Sequence, residues 1–201
     1  MQNSVQKAAP LFICLILFIT VLVAVESGLF TDVDIAVNNF FASYQDSRAF
    51  YLGMLFITLL SSPLALLLFS VVIFIILIQL GMKRPAILFA FSVSIAFLTE
   101  TFLKITVNRA RPENAVLYSI TSSFPSGHAT VSTAFFAALL FILQNHKLLS
   151  KNMKKALLFV FSLIILLICL SRLFFHMHWL SDIIAGILLG LTVAFAFRYK
   201  L

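Results

Sequence analysis

Residues 11–25 pass without a single charged side chain, and so do residues 63–80. A helix needs roughly 20 such residues to cross the hydrocarbon core of a bilayer, and in lipid only helices and closed barrels satisfy every backbone N–H and C=O. Runs of this kind exclude an ordinary water-soluble domain. Charged residues make up 10% of the 201-residue chain and hydrophobic ones 62%, whereas soluble domains carry about a quarter charged residues. The expected fold is all-α: a polytopic membrane protein with six transmembrane helices, forming a single domain over residues 1–201.

The six crossings are expected at about Pro10–Val25, Pro63–Leu80, Pro85–Lys104, His128–Gln144, Lys155–Leu173 and Trp179–Phe197. Between the first two, an amphipathic stretch from Val33 to Tyr44 leads into the apolar Phe50–Leu60, and this segment is expected to lie along the interface. The first run follows Lys7, but Glu26 stands where signal cleavage would need a small residue, so it reads as a retained anchor. Cys14 and Cys169 both fall inside apolar runs, near opposite ends of their helices, and no disulfide between them is expected.

In this arrangement Lys7, Lys83, Arg84, Lys147, Lys151, Lys154, Lys155, Arg198 and Lys200 share one side, which the positive-inside rule makes cytoplasmic. Both termini are then expected inside. Glu26, Asp32, Asp34, Asp46 and Glu113 fall in the opposite loops, with Glu100 and Asp182 in adjoining helices. The net charge of +7 is accounted for by this bias and by contact with anionic lipid, not by nucleic-acid binding. Yet Lys104, Arg109, Arg111 and Arg172 stay on the outer side against the bias, and something there requires positive charge.

Three clusters meet on that side. Lys104 to Arg111 and Pro112 leave the third helix, Phe124-Pro-Ser-Gly-His128 opens the fourth, and Ser171-Arg172 ends the fifth, followed by His178 and Asp182. His178 and Asp182 are four residues apart, so on a helix the carboxylate could accept the imidazole N–H and leave the other ring nitrogen free to attack. His128 follows Ser126 and Gly127 at a helix start, where unpaired N–H groups and the helix dipole favour an anion. Three cations, Lys104, Arg111 and Arg172, would neutralise a phosphoryl group. Their presence opposes a metal ion between the two histidines and the aspartate; no metal and no cofactor is expected.

Secondary candidates are Glu100, one turn before Lys104 and able to pair with it; Arg109, expected either on a lipid headgroup or second phosphate or paired with Glu113; and Ser171 beside Arg172. His176 reads as a neighbour of the site. Gly186 and Gly190 form a Gly-x-x-x-Gly step that suits close helix packing within the bundle.

The clusters together resemble the type 2 phosphatidic acid phosphatase family, whose signature is Lys-x6-Arg-Pro, Pro-Ser-Gly-His and Ser-Arg-x5-His-x3-Asp. All three motifs occur here without departure, from Lys104 to Asp182. The resemblance implies a metal-independent lipid phosphatase with a phosphohistidine intermediate. His178 would be the nucleophile, Asp182 its orienting group and His128 the acid and base; Lys104, Arg111, Ser126, Gly127 and Arg172 would hold the phosphate. The partner is then an anionic lipid in the bilayer, with phosphatidylglycerol phosphate or undecaprenyl diphosphate favoured and phosphatidic acid a third option. The alternatives are a lipid phosphotransferase using the same site and, in another class, an anion transporter or channel.

Overall fold

The computed structural model describes residues 2–44 and 47–198, with side chains from Ala8 onward. Asp46, Lys200 and the Lys7 side chain, which entered the charge argument, lie outside the described residues. Among the described residues eight helices follow in order: α1 Gln2–Glu26, α2 Thr31–Ala42, α3 Arg48–Leu60, α4 Pro63–Gln79, α5 Lys83–Val107, α6 Gly127–Asn145, α7 Lys151–Phe174 and α8 Leu180–Arg198.

The helix boundaries have local causes. Ser47, Ser62, Ser126 and Ser150 each accept a backbone N–H at a helix start, and Pro63 occupies the first turn of α4, where a missing N–H costs nothing. Past α4, Gly81 adopts φ 76°, its N–H bonding Ile78 while Met82 N–H bonds Leu77. That double closure requires a left-handed residue, which glycine supplies without strain.

Helices α1, α5, α6, α7 and α8 are each long and apolar enough to cross a membrane. A sixth crossing is present if α3 and α4 count as one: they pass the same test only as a pair, bent by 54° at their junction. By itself α4 has 17 residues, a rise of roughly 25 Å against a core of roughly 30 Å. The segment expected along the interface therefore divides: α2 packs against α7 and α8, and α3 packs against α7 and continues into α4.

At the centre stands α6, packed by α4, α5, α7 and α8, while α1 lies on α8. The buried positions of α6 are mostly small, among them Ala129, Thr130, Ser132, Thr133, Ala134, Ala137 and Ala138. Large side chains such as Phe12, Ile16, Leu68, Phe102 and Phe159 face outward. Small residues inside and large apolar ones outside are what helix packing in lipid favours, since close approach and not water exclusion drives association. Gly186 and Gly190 follow the same rule: a Cβ on Gly190 would stand 2.5 Å from the Thr130 carbonyl oxygen, and one on Gly186 would stand 2.8 Å from that of Ser126. The Gly-x-x-x-Gly step thus seats α8 on α6, inside the bundle. Cys14 and Cys169 are buried free thiols.

Candidate active site

The three clusters converge at one end of the bundle. Ser126 N–H bonds the Asp182 carbonyl (3.0 Å) and ties the start of α6 to the start of α8; Val116 N–H bonds the Phe175 carbonyl (3.0 Å) and draws the long α5–α6 loop over the turn that carries His178. A cavity of about 550 Å³ opens there. Lys104, Arg111, Gly127, His128, Arg172 and His178 line it together with the apolar Leu59, Pro63, Leu64 and Phe97. Glu100 also reaches it, while Ser126, Ser171, Arg109 and Asp182 stand behind the lining.

His178 is buried (3% exposed), with its Nδ1 2.8 Å from the Ser123 carbonyl oxygen. A carbonyl only accepts, so Nδ1 carries the proton and Nε2 of the neutral ring bears the lone pair. Arg111 Nη1 lies 3.4 Å from that Nε2. Burial, then the charges of Lys104, Arg111 and Arg172, push the His178 pKa well below the ordinary imidazole value, against the raising effect of the Ser123 bond. The ring is therefore neutral at physiological pH, the form a nucleophile requires.

This corrects the role expected for Asp182. Its Oδ2 is 3.7 Å from His178 Nδ1, beyond a hydrogen bond, because the Ser123 carbonyl takes that proton and the carboxylate is already engaged. Trp179 N–H bonds Oδ2 at 2.9 Å and Arg109 Nη1 bonds Oδ1 at 2.6 Å. Asp182 thus caps the first turn of α8 and fixes the backbone next to His178. Arg109 is corrected as well: it meets neither the cavity nor Glu113, but bridges Asp182 to Asp34 of α2 (Nη2 to Oδ2, 2.8 Å). Asp34 is 2% exposed and also accepts from the Ser181 N–H (2.9 Å) and hydroxyl (2.6 Å). A partly buried guanidinium (19% exposed) between two buried carboxylates is held by charge and geometry together, and such a group is not free for a ligand.

Arg111 is braced by the Thr121 carbonyl (2.9 Å), the Ser122 carbonyl (3.2 Å) and the Met177 carbonyl. Burial lowers its pKa, offset in part by Asp182 and Glu100. Lys104 Nζ donates to the Ser122 carbonyl at 3.2 Å and lies 3.8 Å from Glu100 Oε2, the ion pair expected from their spacing. Gly127 does permit a close approach, but its nearest neighbour is Glu100: a Cβ there would stand 2.8 Å from Oε1. Ser126 serves as the cap of α6, its hydroxyl accepting from Ala129 N–H. His176 lies outside the cavity, with Nδ1 2.6 Å from Asn38 Oδ1. Among the described residues, no group of three or more His, Cys, Asp or Glu side chains is placed to hold a metal ion.

Residues 85–201, more than half of the chain, match the family model of the PAP2 superfamily. The chain belongs to the PAP2 superfamily. Its sequence is similar to phosphatidylglycerophosphatase B of Bacillus subtilis, with 30% identity over 99 residues. That match takes in 49% of this chain and 49% of that protein, so the chain spans about half the length of its curated relative. The fold is similar to the crystal structure of a transmembrane PAP2 type phosphatidylglycerolphosphate phosphatase from Bacillus subtilis: the TM-score is 0.86 at 22% identity, with 94% of each chain covered.

Three groups in this PAP2 site carry no motif signal. The Ser123 carbonyl is main chain and invisible in a sequence. Asp34 is one of two acids in the first turn of α2, and nothing in the sequence separates it from Asp32. Thr58, near the end of α3, sits in the apolar run 50–60; an isolated hydroxyl in such a run was the available clue.

Proposed function

We propose that this chain is a membrane lipid phosphatase that removes the terminal phosphate of a lipid phosphate or diphosphate through a phosphohistidine. The observation that carries the reading is Nε2 of a neutral, buried His178, whose proton sits on Nδ1, with Arg111 beside that Nε2 in a cavity lined by cations and apolar side chains together. The cations suit a phosphate dianion, and the apolar side chains suit the chain that stays in the bilayer.

In the first step His178 Nε2 attacks phosphorus and the bond from phosphorus to the lipid oxygen breaks. His128, protonated on both ring nitrogens beside the bound dianion, delivers one proton to that oxygen, so the lipid leaves as an alcohol. From a diphosphate the leaving oxygen belongs instead to the remaining lipid monophosphate. Neutral His128 then takes a proton from water, the hydroxide attacks the phosphohistidine, the N–P bond breaks, and inorganic phosphate departs with His178 regenerated. Lys104, Arg111 and Arg172 offset the charge on the equatorial oxygens throughout, and Asp182 holds the turn that aims His178. No metal ion is needed in this scheme.

Phosphatidylglycerol phosphate and undecaprenyl diphosphate are the favoured substrates, with phosphatidic acid next; the name of the Bacillus subtilis relative supports the first. We also propose that the site faces the outside of the cell and both termini the cytoplasm. In support, Lys83, Arg84 and Lys151 occupy helix ends, and Lys147 the α6–α7 loop, opposite the ends that carry the site.

The test is phosphate release by the purified protein in detergent with EDTA present, from phosphatidylglycerol phosphate, undecaprenyl diphosphate and phosphatidic acid. Release that disappears in His178→Ala is the expected outcome. A folded wild-type protein that frees no phosphate from any of these lipids would sink the reading.

A further inference from the structure

The junction of α3 and α4 reads Leu60-Ser61-Ser62-Pro63, and the break follows from those residues. Pro63 has no N–H for the Leu59 carbonyl, and its ring would clash with that carbonyl in a continuous helix. Ser62 N–H, which a continuous helix would place on Thr58, bonds Leu59 at 3.3 Å instead. The Thr58 carbonyl is left to other donors: Ser61 Oγ at 3.4 Å and His128 Nε2 at 3.2 Å.

The Thr58 side chain, in a residue 4% exposed, meets the other half of the site. Arg172 Nη1 donates to Thr58 Oγ1 at 2.7 Å, and Thr58 Oγ1 is 2.8 Å from Ser171 Oγ. Ser171 Oγ is also 2.7 Å from the Ile168 carbonyl, to which it can only donate. Each hydroxyl has one proton, so the directions are fixed: Arg172 donates to Thr58, Thr58 to Ser171, and Ser171 to the backbone. The chain ends with Arg172 tethered through Nη1, while its Nε is buried with no partner beside the cavity that Arg172 lines. A buried donor of a charged group left unpaired is costly and is satisfied by an anion.

We infer that Thr58, which lies outside every signature motif, is a positioning residue of the anion site: its hydroxyl holds Arg172 by one nitrogen so that the rest of the guanidinium is presented to the phosphate. Ser171 acts with it, supplying the acceptor that fixes the rotamer of the threonine hydroxyl. The break between α3 and α4 is then a working part of the site, since it brings one residue's hydroxyl to Arg172 and its carbonyl to His128. The inference rests on the phosphatase reading only in taking the cavity as an anion site.

The test measures binding of inorganic phosphate to the purified full chain in detergent by calorimetry, with melting temperature recorded alongside. Thr58→Val should bind phosphate about tenfold more weakly, equivalent to about 1.4 kcal/mol, with a lowered melting temperature but a cooperative melt because Arg172 Nη1 loses its partner, and Thr58→Ser should stay within about twofold of wild type. In an Arg172→Ala background the valine substitution should have no further effect, because Thr58 acts through that guanidinium. Wild-type affinity in a folded Thr58→Val protein would overturn the inference, as would equal weakening in serine and valine variants. If the valine variant does not fold, Thr58→Ala carries the same expectation; failure of both to fold would assign the residue to stability and overturn the proposal. Wild-type protein that binds phosphate but hydrolyses no lipid would defeat the phosphatase reading and leave this one standing, whereas wild-type protein that binds no phosphate would defeat both.

Discussion

The neutral tautomer of His178 on which the proposed attack depends is set by a carbonyl that no motif contains. The Ser123 oxygen fixes the proton on Nδ1, and burial with three nearby cations keeps the ring from taking a second one. That arrangement links to stability with a definite sign. The folded pKa lies well below the ordinary value of 6.5, so above about pH 6.5 neither the folded nor the unfolded ring is charged and the contribution is complete. As pH falls below 6.5, the unfolded ring binds a proton that the folded one refuses, and stability is lost down to the folded pKa. His176, whose pKa burial also lowers, adds in the same direction. The melting temperature in detergent should therefore fall as pH is taken from about 6.5 towards 5, and His178→Asn should fall less steeply. Parallel slopes for the two proteins would remove His178 from the account. At this scale the charged residues of the site were legible, because a lysine, arginine or histidine in so apolar a chain requires a reason. Ser123 and Thr58 act through a carbonyl and a hydroxyl, which no spacing rule marks.

Among the helices, α5 to α8 lie within a few residues of the positions expected from hydropathy, since each is one continuous apolar run. The α3–α4 pair meets the length and hydropathy test only when taken together, because Ser61-Ser62-Pro63 divides it, and hydropathy does not tell a bent crossing from an interfacial helix followed by a short span. Packing between α6 and α8 depends on two glycines. Gly190→Ala would place a methyl 2.5 Å from the Thr130 carbonyl and 2.8 Å from Thr133 Cβ, so backbone and not merely a side-chain tip must move. Overpacking of this kind costs roughly 1–3 kcal/mol. Gly53 is the control, since a Cβ there meets nothing within 4 Å. A melting series should show Gly190→Ala clearly below wild type and Gly53→Ala at or above it; equal melting temperatures would mean that α8 sits less closely on α6 than described.

For the molecule as a whole, the proposed orientation rests on charge at the helix ends and is open to direct measurement. Tyr118, in the α5–α6 loop beside the cavity, is 92% exposed, and the two native cysteines are buried. Tyr118→Cys should accordingly react with a membrane-impermeant maleimide added to intact cells, over a background that wild-type protein sets. Labelling confined to lysed cells would put the site on the cytoplasmic face. The bridge from Arg109 to Asp34 has a consequence for how such a protein can be cut or recombined. Every group assigned to phosphate or proton transfer lies between Lys104 and His178, yet Asp34 and Thr58 come from the preceding half. A cassette of the motif-bearing half, moved onto another membrane scaffold, would carry all of its reagents while leaving Arg109 with one carboxylate in place of two and Arg172 with no tether. On the proposed roles the two halves function as a pair, and a recombinant is expected to work only where its new neighbour supplies an acid and a hydroxyl at those same two points.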